Sequence, residues 1–214
     1  AAGACAPGGV LQGRGGVLVG TYDRLRTVPC APVGIPLGVG GGGQRAKIAG
    51  FSRQSRRRLL YLLASIDQEA SGLPRFVTLT YPGKDWESYA TNMKRHLDNF
   101  HRWLTYHHPR ASAIWRLEMQ KRGAPHFHLL VFGVAFLDCL RVAETWWHIV
   151  GSGQESHLQA GTQVKGCSRW REATSYMAKY MAKPQEDAAE VHELWKLPGR
   201  FWGVWGDKNL PVYP

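Results

Sequence analysis

The sequence predicts an α+β domain, a central antiparallel sheet of about five strands flanked by helices. Three observations carry that reading. Short β-branched and aromatic runs alternate with helical stripes from Arg75 onward, two neighbouring runs are joined by only four residues, and the element order suits an antiparallel sheet covered by helices.

Residues 1–50 are rich in Gly, Ala and Pro, culminate in "GVGGGGQ", and read as a mostly flexible leader, because such a stretch buries too little side chain to offset ordering entropy. Residues 51–74 form a basic helical segment: "FSRQSRRRLLYLLASID" joins a basic half (Arg53, Arg56, Arg57, Arg58) to an apolar half. The arginines suit either a solvated face or phosphate contacts, and Arg56, Arg57 and Arg58 are taken as candidate DNA contacts. The domain proper is expected over 75–206, with 207–214 as a tail.

"PRFVTLTYP" is a strand with Thr78 and Thr80 on one face and Val77 and Leu79 on the other. Trp86, Ala90, Met93, Leu97, Phe100 and Leu104 recur at helical spacing and predict one helix with one buried stripe, stopped by "HHPR". "SAIWRLEMQ" and "PHFHLLVFG" read as a hairpin turning through "KRGA". A helix follows over about 137–150, then a strand in "HLQAGTQVKG", a helix over about 169–183 ended by Pro184, and an aromatic strand in "RFWGVWG".

Composition narrows the partner. The 214 residues suffice for one substantial core, and a formal net charge of +11 with a pI near 9.8 favours a polyanion, nucleic acid before a membrane surface. Cys5, Cys30, Cys139 and Cys167 form no C-x-x-C pair, which argues against a disulfide framework or cysteine-rich zinc site and for a reducing cytoplasm. With no apolar run of membrane-spanning length and no signal segment, the expectation is a soluble intracellular protein without a membrane partner. The absence of an initial methionine suggests a fragment, a processed product or an uncertain start.

Two clusters carry chemistry. In "GAPHFHLLVFG" His126 and His128 share one strand face, and a turn centred near Arg122 sets Glu118 across from His126. Imidazole and carboxylate together suit Mg²⁺, Mn²⁺ or Zn²⁺ with positions open to substrate, although H-x-H alone equally suits a half-buried strand. Lys121 and Arg122 at the turn, with Thr78 and Thr80, are further candidate DNA contacts. In "SYMAKYMAKP" Tyr176 and Tyr180 lie one helical turn apart with Lys179 and Lys183 nearby, while Trp170, Met177 and Met181 form a separate stripe. Ordinary amphipathic packing is the competing account.

"FVTLTYP", "PHFHLLVF" and "YMAKYMAK", in that order, resemble the three motifs of the HUH endonucleases, specifically rolling-circle replication initiators of phages, plasmids and single-stranded DNA viruses. The resemblance implies an antiparallel sheet of RNA-recognition or ferredoxin-like topology, with His126, His128 and Glu118 holding Mg²⁺ or Mn²⁺. It implies that a tyrosine attacks single-stranded origin DNA to give a 5′-phosphotyrosine, and it sets the protein in a bacterial host cytoplasm, or in the nucleus for a eukaryotic virus. Tyr176, Tyr180, Lys179 and Lys183 are the candidate catalytic residues; which tyrosine comes first stays open, with Tyr176 preferred because it lies further from the helix end. A phenol needs a cation and nearby positive charge to act as a nucleophile near neutral pH. Trp115, Trp170 and Trp202 could stack bases, with core packing the commoner role. No G-x-x-x-x-G-K-[ST] signature is present, so a separate helicase is expected. A two-tyrosine transposase and a non-catalytic nucleic-acid-binding domain of the same topology remain as alternatives.

Overall fold

The computed structural model describes residues 16–19, 26–29, 51–83, 85–181, 195 and 199–213. The remainder of the expected leader, Lys183 and Pro184 lie outside the described residues. Within the first 50 residues, β1 (Gly16–Val19) and β2 (Arg26–Pro29) pair antiparallel, in a unit (1–45) separate from the one that carries everything below.

The second unit opens with α1 (Arg53–Ala64), whose first turn is capped by the Ser52 hydroxyl accepting the Ser55 N–H at 3.1 Å. Short α2 (Gln68–Ser71) leads into β3 (Arg75–Thr80). Then come α3 (Trp86–Ala90), α4 (Met93–His107), β4 (Ser112–Met119), β5 (Pro125–Phe132), α5 (Cys139–Val150), α6 (Glu155–Ala160), β6 (Thr162–Gly166), α7 (Trp170–Tyr176), a π-helical turn (Met177–Met181) and β7 (Trp202–Trp205). The sheet is antiparallel throughout, in the order β6-β3-β5-β4-β7. Taken without α6, β3 to β6 follow the β-α-β-β-α-β order of ferredoxin-like folds, with α7 and β7 added. Among the described residues, no helix is long and apolar enough to cross a membrane.

Strand alternation divides the core in two. On one face Val77, Leu79, Trp115, Phe127 and Leu129 pack with Leu97, Phe100 and Leu104 of α4 and with Trp146 of α5. On the other, Phe76, Ile114, Leu130 and Phe132 pack with Leu59 and Leu63 of α1, Ala173 of α7 and Met177. Trp115 is buried in the first cluster, and Trp170 and Trp202 are partly buried against the second, so packing is the role their positions support.

Three expectations are corrected. The single helix from Trp86 to Leu104 is two, although its buried stripe continues across the break: the Thr91 hydroxyl takes the Glu87 carbonyl at 3.2 Å, competing with the backbone ladder. "HLQAGTQVKG" is helix as far as Ala160 and strand only from Thr162. His157 is held from both sides, by the Ser152 hydroxyl at 2.7 Å and the Thr80 carbonyl at 2.8 Å, and Gly161 leaves room for its ring, since an added Cβ would lie 2.3 Å from it. The tyrosine face is also not separate from the core: Tyr176 packs on the Phe76 cluster, their rings stacked at 4.0 Å.

The β4–β5 turn depends on Gly123, which has φ +86° and a Cβ position 3.2 Å from the Trp86 ring. Gly123→Ala should lower stability by about 1–3 kcal/mol in urea titrations, because left-handed backbone and a crowded ring oppose the same methyl.

Candidate functional site

The hairpin register pairs Glu118 with His126 and Arg116 with His128, while β3 sets Thr80 beside His126 and Thr78 beside His128. These six side chains lie on the sheet face that starts as the apolar Phe76–Ile114–Leu130 row and turns polar toward the hairpin. α7 crosses that end and brings Tyr176 to it.

His128 is the junction. Its Nε2 lies 2.9 Å from Glu118 Oε2 and its Nδ1 lies 3.0 Å from the Tyr176 hydroxyl. In the tautomer that donates from Nε2 to the carboxylate, Nδ1 accepts the phenol proton, and the Thr78 hydroxyl, 3.4 Å away, donates to the phenol oxygen. Carboxylate, imidazole and phenol thus form one line. Burial, reinforced by Tyr180 and Glu118 and opposed by the Thr78 bond, pushes the Tyr176 phenol up to about 12. The Tyr180 ring sits 4.6 Å from that of Tyr176 and 4.8 Å from that of His128, and Lys179 Nζ lies over the Tyr180 face at 4.9 Å.

His126 stacks on His128 with ring centroids 4.4 Å apart. Burial, with His128 adding, Glu118 opposing and Arg122 adding, pushes its imidazole down to about 4, so it is neutral near neutral pH. The Gln120 amide donates to Nδ1 at 2.9 Å, and Nε2 is buried without a hydrogen-bond partner. Among the described residues, no three His, Cys, Asp or Glu side chains stand in a ready ligating arrangement. The donors nevertheless fit a divalent cation: the orphaned His126 Nε2, His128 Nε2 and the Glu118 carboxylate share one face. Binding would exchange the Glu118–His128 hydrogen bond for metal bonds and turn the Gln120 amide so that its oxygen accepts Nδ1–H.

The other expected residues divide. Thr78 reaches the phenol; Thr80 is half-buried, its carbonyl accepting Trp146 Nε1 at 2.7 Å as well as His157. Arg57, Arg58 and Lys121 are exposed and Arg56 is half-buried. Arg122 is committed elsewhere, donating to the carbonyls of Tyr81, Pro82 and Gly83 and to Gln120 Oε1, which ties the turn to the β3 exit. Lys183 lies outside the described residues. Sequence reasoning missed Arg116, 1% exposed with its guanidinium 3.7 Å from the Phe51 ring centre; burial lowers it to about 10 against the pull of Glu118. Its spacing two residues before Glu118 in β4 was the available signal.

A ferredoxin-like sheet with a His–carboxylate–tyrosine line on one face defines the class of protein. The sequence pattern of the replication-associated protein ORF2 family matches residues 74–185, and the chain belongs to that family. Two Xylella fastidiosa proteins with provisional replication-protein names are similar to it. One, from strain Temecula1, is 31% identical over 103 residues, 45% of this chain and 38% of the relative; the other, from strain 9a5c, is 26% identical over 178 residues, 76% of this chain and 58% of the relative. The chain therefore spans less than two thirds of either relative. Among solved structures, the hypothetical protein ORF119 from Sulfolobus islandicus rod-shaped virus 1 aligns with TM-score 0.39 and 18% identity over 63% of this chain and 97% of that one.

This geometry has two measurable consequences. In EDTA, the unfolded chain takes a proton at His126 below about pH 6.5 while the native one resists until about 4, so stability is full above the upper value and drains as pH falls through that window. Urea midpoints should show this slope, and His126→Gln should flatten it. Arg122→Ala should cost about 1–3 kcal/mol through its lost carbonyl bonds and leave the salt dependence of DNA binding unchanged.

Proposed function

We propose that the chain is a HUH-type endonuclease that nicks and rejoins single-stranded origin DNA to start rolling-circle replication. The observation that carries this reading is the Glu118–His128–Tyr176 line: a candidate nucleophile bonded to an imidazole whose other nitrogen faces a carboxylate. Family membership and the replication names of the relatives favour an initiator over a transposase.

A buried phenol held up to about 12 is a weak nucleophile. Mg²⁺ or Mn²⁺ held by Glu118, His126 and His128 would withdraw charge from the phosphate oxygens and lower the barrier to attack. Tyr176 Oη attacks phosphorus, its proton passing toward His128 Nδ1. The bond to the 3′ oxygen breaks, and that oxygen takes a proton to become a free hydroxyl. The 5′ phosphate stays esterified to the tyrosine, so a second hydroxyl can reverse the step without ATP. Tyr180 is close enough to serve as second nucleophile, with Lys179 supplying positive charge beside it. Strand separation falls to another protein, a helicase, and the reaction belongs in the host cytoplasm if the replicon is bacterial.

The test uses labelled single-stranded origin-region oligonucleotides with Mn²⁺, read as covalent protein–DNA adduct. Tyr176→Phe should lose at least about a hundredfold in adduct rate, the scale of removing a catalytic group. Tyr180→Phe should keep single-turnover nicking and lose repeated transfer. His126→Ala with His128→Ala should abolish cleavage. Undiminished adduct in the double histidine variant or in excess EDTA removes the metal role, and a DNA-linked peptide containing only Tyr180 reverses the order of attack.

A further inference from the structure

Beside the two phenols a cavity of about 440 Å³ opens between the β6 edge and α7. Its wall carries Lys165 from β6, Arg169 and Arg171 at the start of α7, and Lys179 from the π-helical turn, with Tyr176 and Tyr180 at its inner end. Among the described residues Glu172 is the one carboxylate lining it, against four cations, a balance of +3. Glu172 is taken up by Arg169 at 3.2 Å and by the Ser168 hydroxyl and N–H. Lys165, Arg171 and Lys179 form no ion pair with a described carboxylate, and all three are exposed.

We propose that this cleft holds the phosphodiester backbone of single-stranded nucleic acid next to the phosphate presented to the tyrosines. The inference rests on the nuclease reading above and adds where the strand runs. A site for a small anion would enclose its cations; here they line an open wall several residues long, the arrangement that suits a repeating phosphate chain. Guanidinium forks at Arg169 and Arg171 match phosphate oxygens in pairs, and lysines tolerate a mobile backbone. The aromatic inner end offers ring faces to a base beside the bound phosphate. The electrostatic track thus lies along β6 and α7 and not at the hairpin tip, where the Arg122 guanidinium is committed to carbonyls.

The experiment measures binding of a fluorescein-labelled single-stranded deoxyoligonucleotide of mixed sequence to the full chain in EDTA, across a salt series. Lys165→Ala combined with Arg171→Ala should raise Kd at least about tenfold and make the slope of log affinity against log salt shallower by about 1.4, two contacts at about 0.7 each. The charge-keeping pair Lys165→Arg with Arg171→Lys should restore most of the affinity. Arg102→Ala, an exposed cation on α4, should change neither quantity. Wild-type Kd and slope in the double alanine variant overturn the proposal, as does an equal loss in Arg102→Ala or a failure of the charge-keeping pair to bind. The adduct assay on the unaltered chain reports separately: no adduct with an intact cleft effect removes the nuclease reading and keeps the binding site, while adduct formation without a cleft effect does the reverse.

Discussion

The register of the β4–β5 hairpin is the constraint on which the rest depends. Pairing Glu118 with His126 sets every side chain of the central strand, because alternation in a strand has a period of two. A slip of one residue would turn both histidines into the cluster that holds Phe127, Leu129 and Trp146, and would expose those rings in exchange. The turn guards against this through two backbone bonds, Gln120 N–H to the Ala124 carbonyl and Gly123 N–H to the Gln120 carbonyl, and through the Arg122 clamp on residues 81–83. Trp195 adds a bond from its indole N–H to the Gly123 carbonyl at 2.7 Å. Much of what surrounds the hairpin tip therefore fixes a register and only indirectly a site.

The polar end of the sheet shows why such fixing is needed. His126, His128, Glu118 and Arg116 are taken from water into a partly covered face, where an unpaired polar atom is costly and a misplaced one more so. The chain meets most of this with internal partners and leaves His126 Nε2 without one. Keeping His126 neutral is the cheaper state in the absence of a cation, and it leaves a lone pair on the ring for ligation. The same burial that suits the histidines disfavours a Tyr176 phenolate, so the arrangement holds its candidate nucleophile at rest until charge arrives from outside the side-chain set.

The helix that carries the tyrosines answers to two demands. Ala173, Met177 and Met181 anchor it to the second core cluster, while Tyr176 and Tyr180 face the histidines. Its last described turn widens into a π-helix, a form that recurs at functional sites because an extra residue per turn re-aims side chains that an α-helix would spread further apart. Phe76 stacks beneath Tyr176, so one aromatic of β3 serves the core and positions the phenol.

The α+β class, the strands from Arg75 to Trp205, the hairpin and the Glu118–His126–His128 face were legible in the sequence, because period-two alternation and a short turn are local properties. The buried stripe from Trp86 to Leu104 was legible for the same reason, while the break inside it was not, since it turns on one threonine hydroxyl competing for a carbonyl. Tertiary contacts decided the rest. His157 reads locally as strand and becomes helical because Ser152 and the Thr80 carbonyl hold its ring. Arg122 reads as a surface cation and becomes a clamp because three carbonyls converge on it, and Lys165 and Arg171 line one cleft only because β6 and α7 meet. Sequence alone determined which faces are apolar and which carry chemistry; which polar groups bond to one another depended on distances between segments far apart along the chain, set only when the sheet and its helices pack.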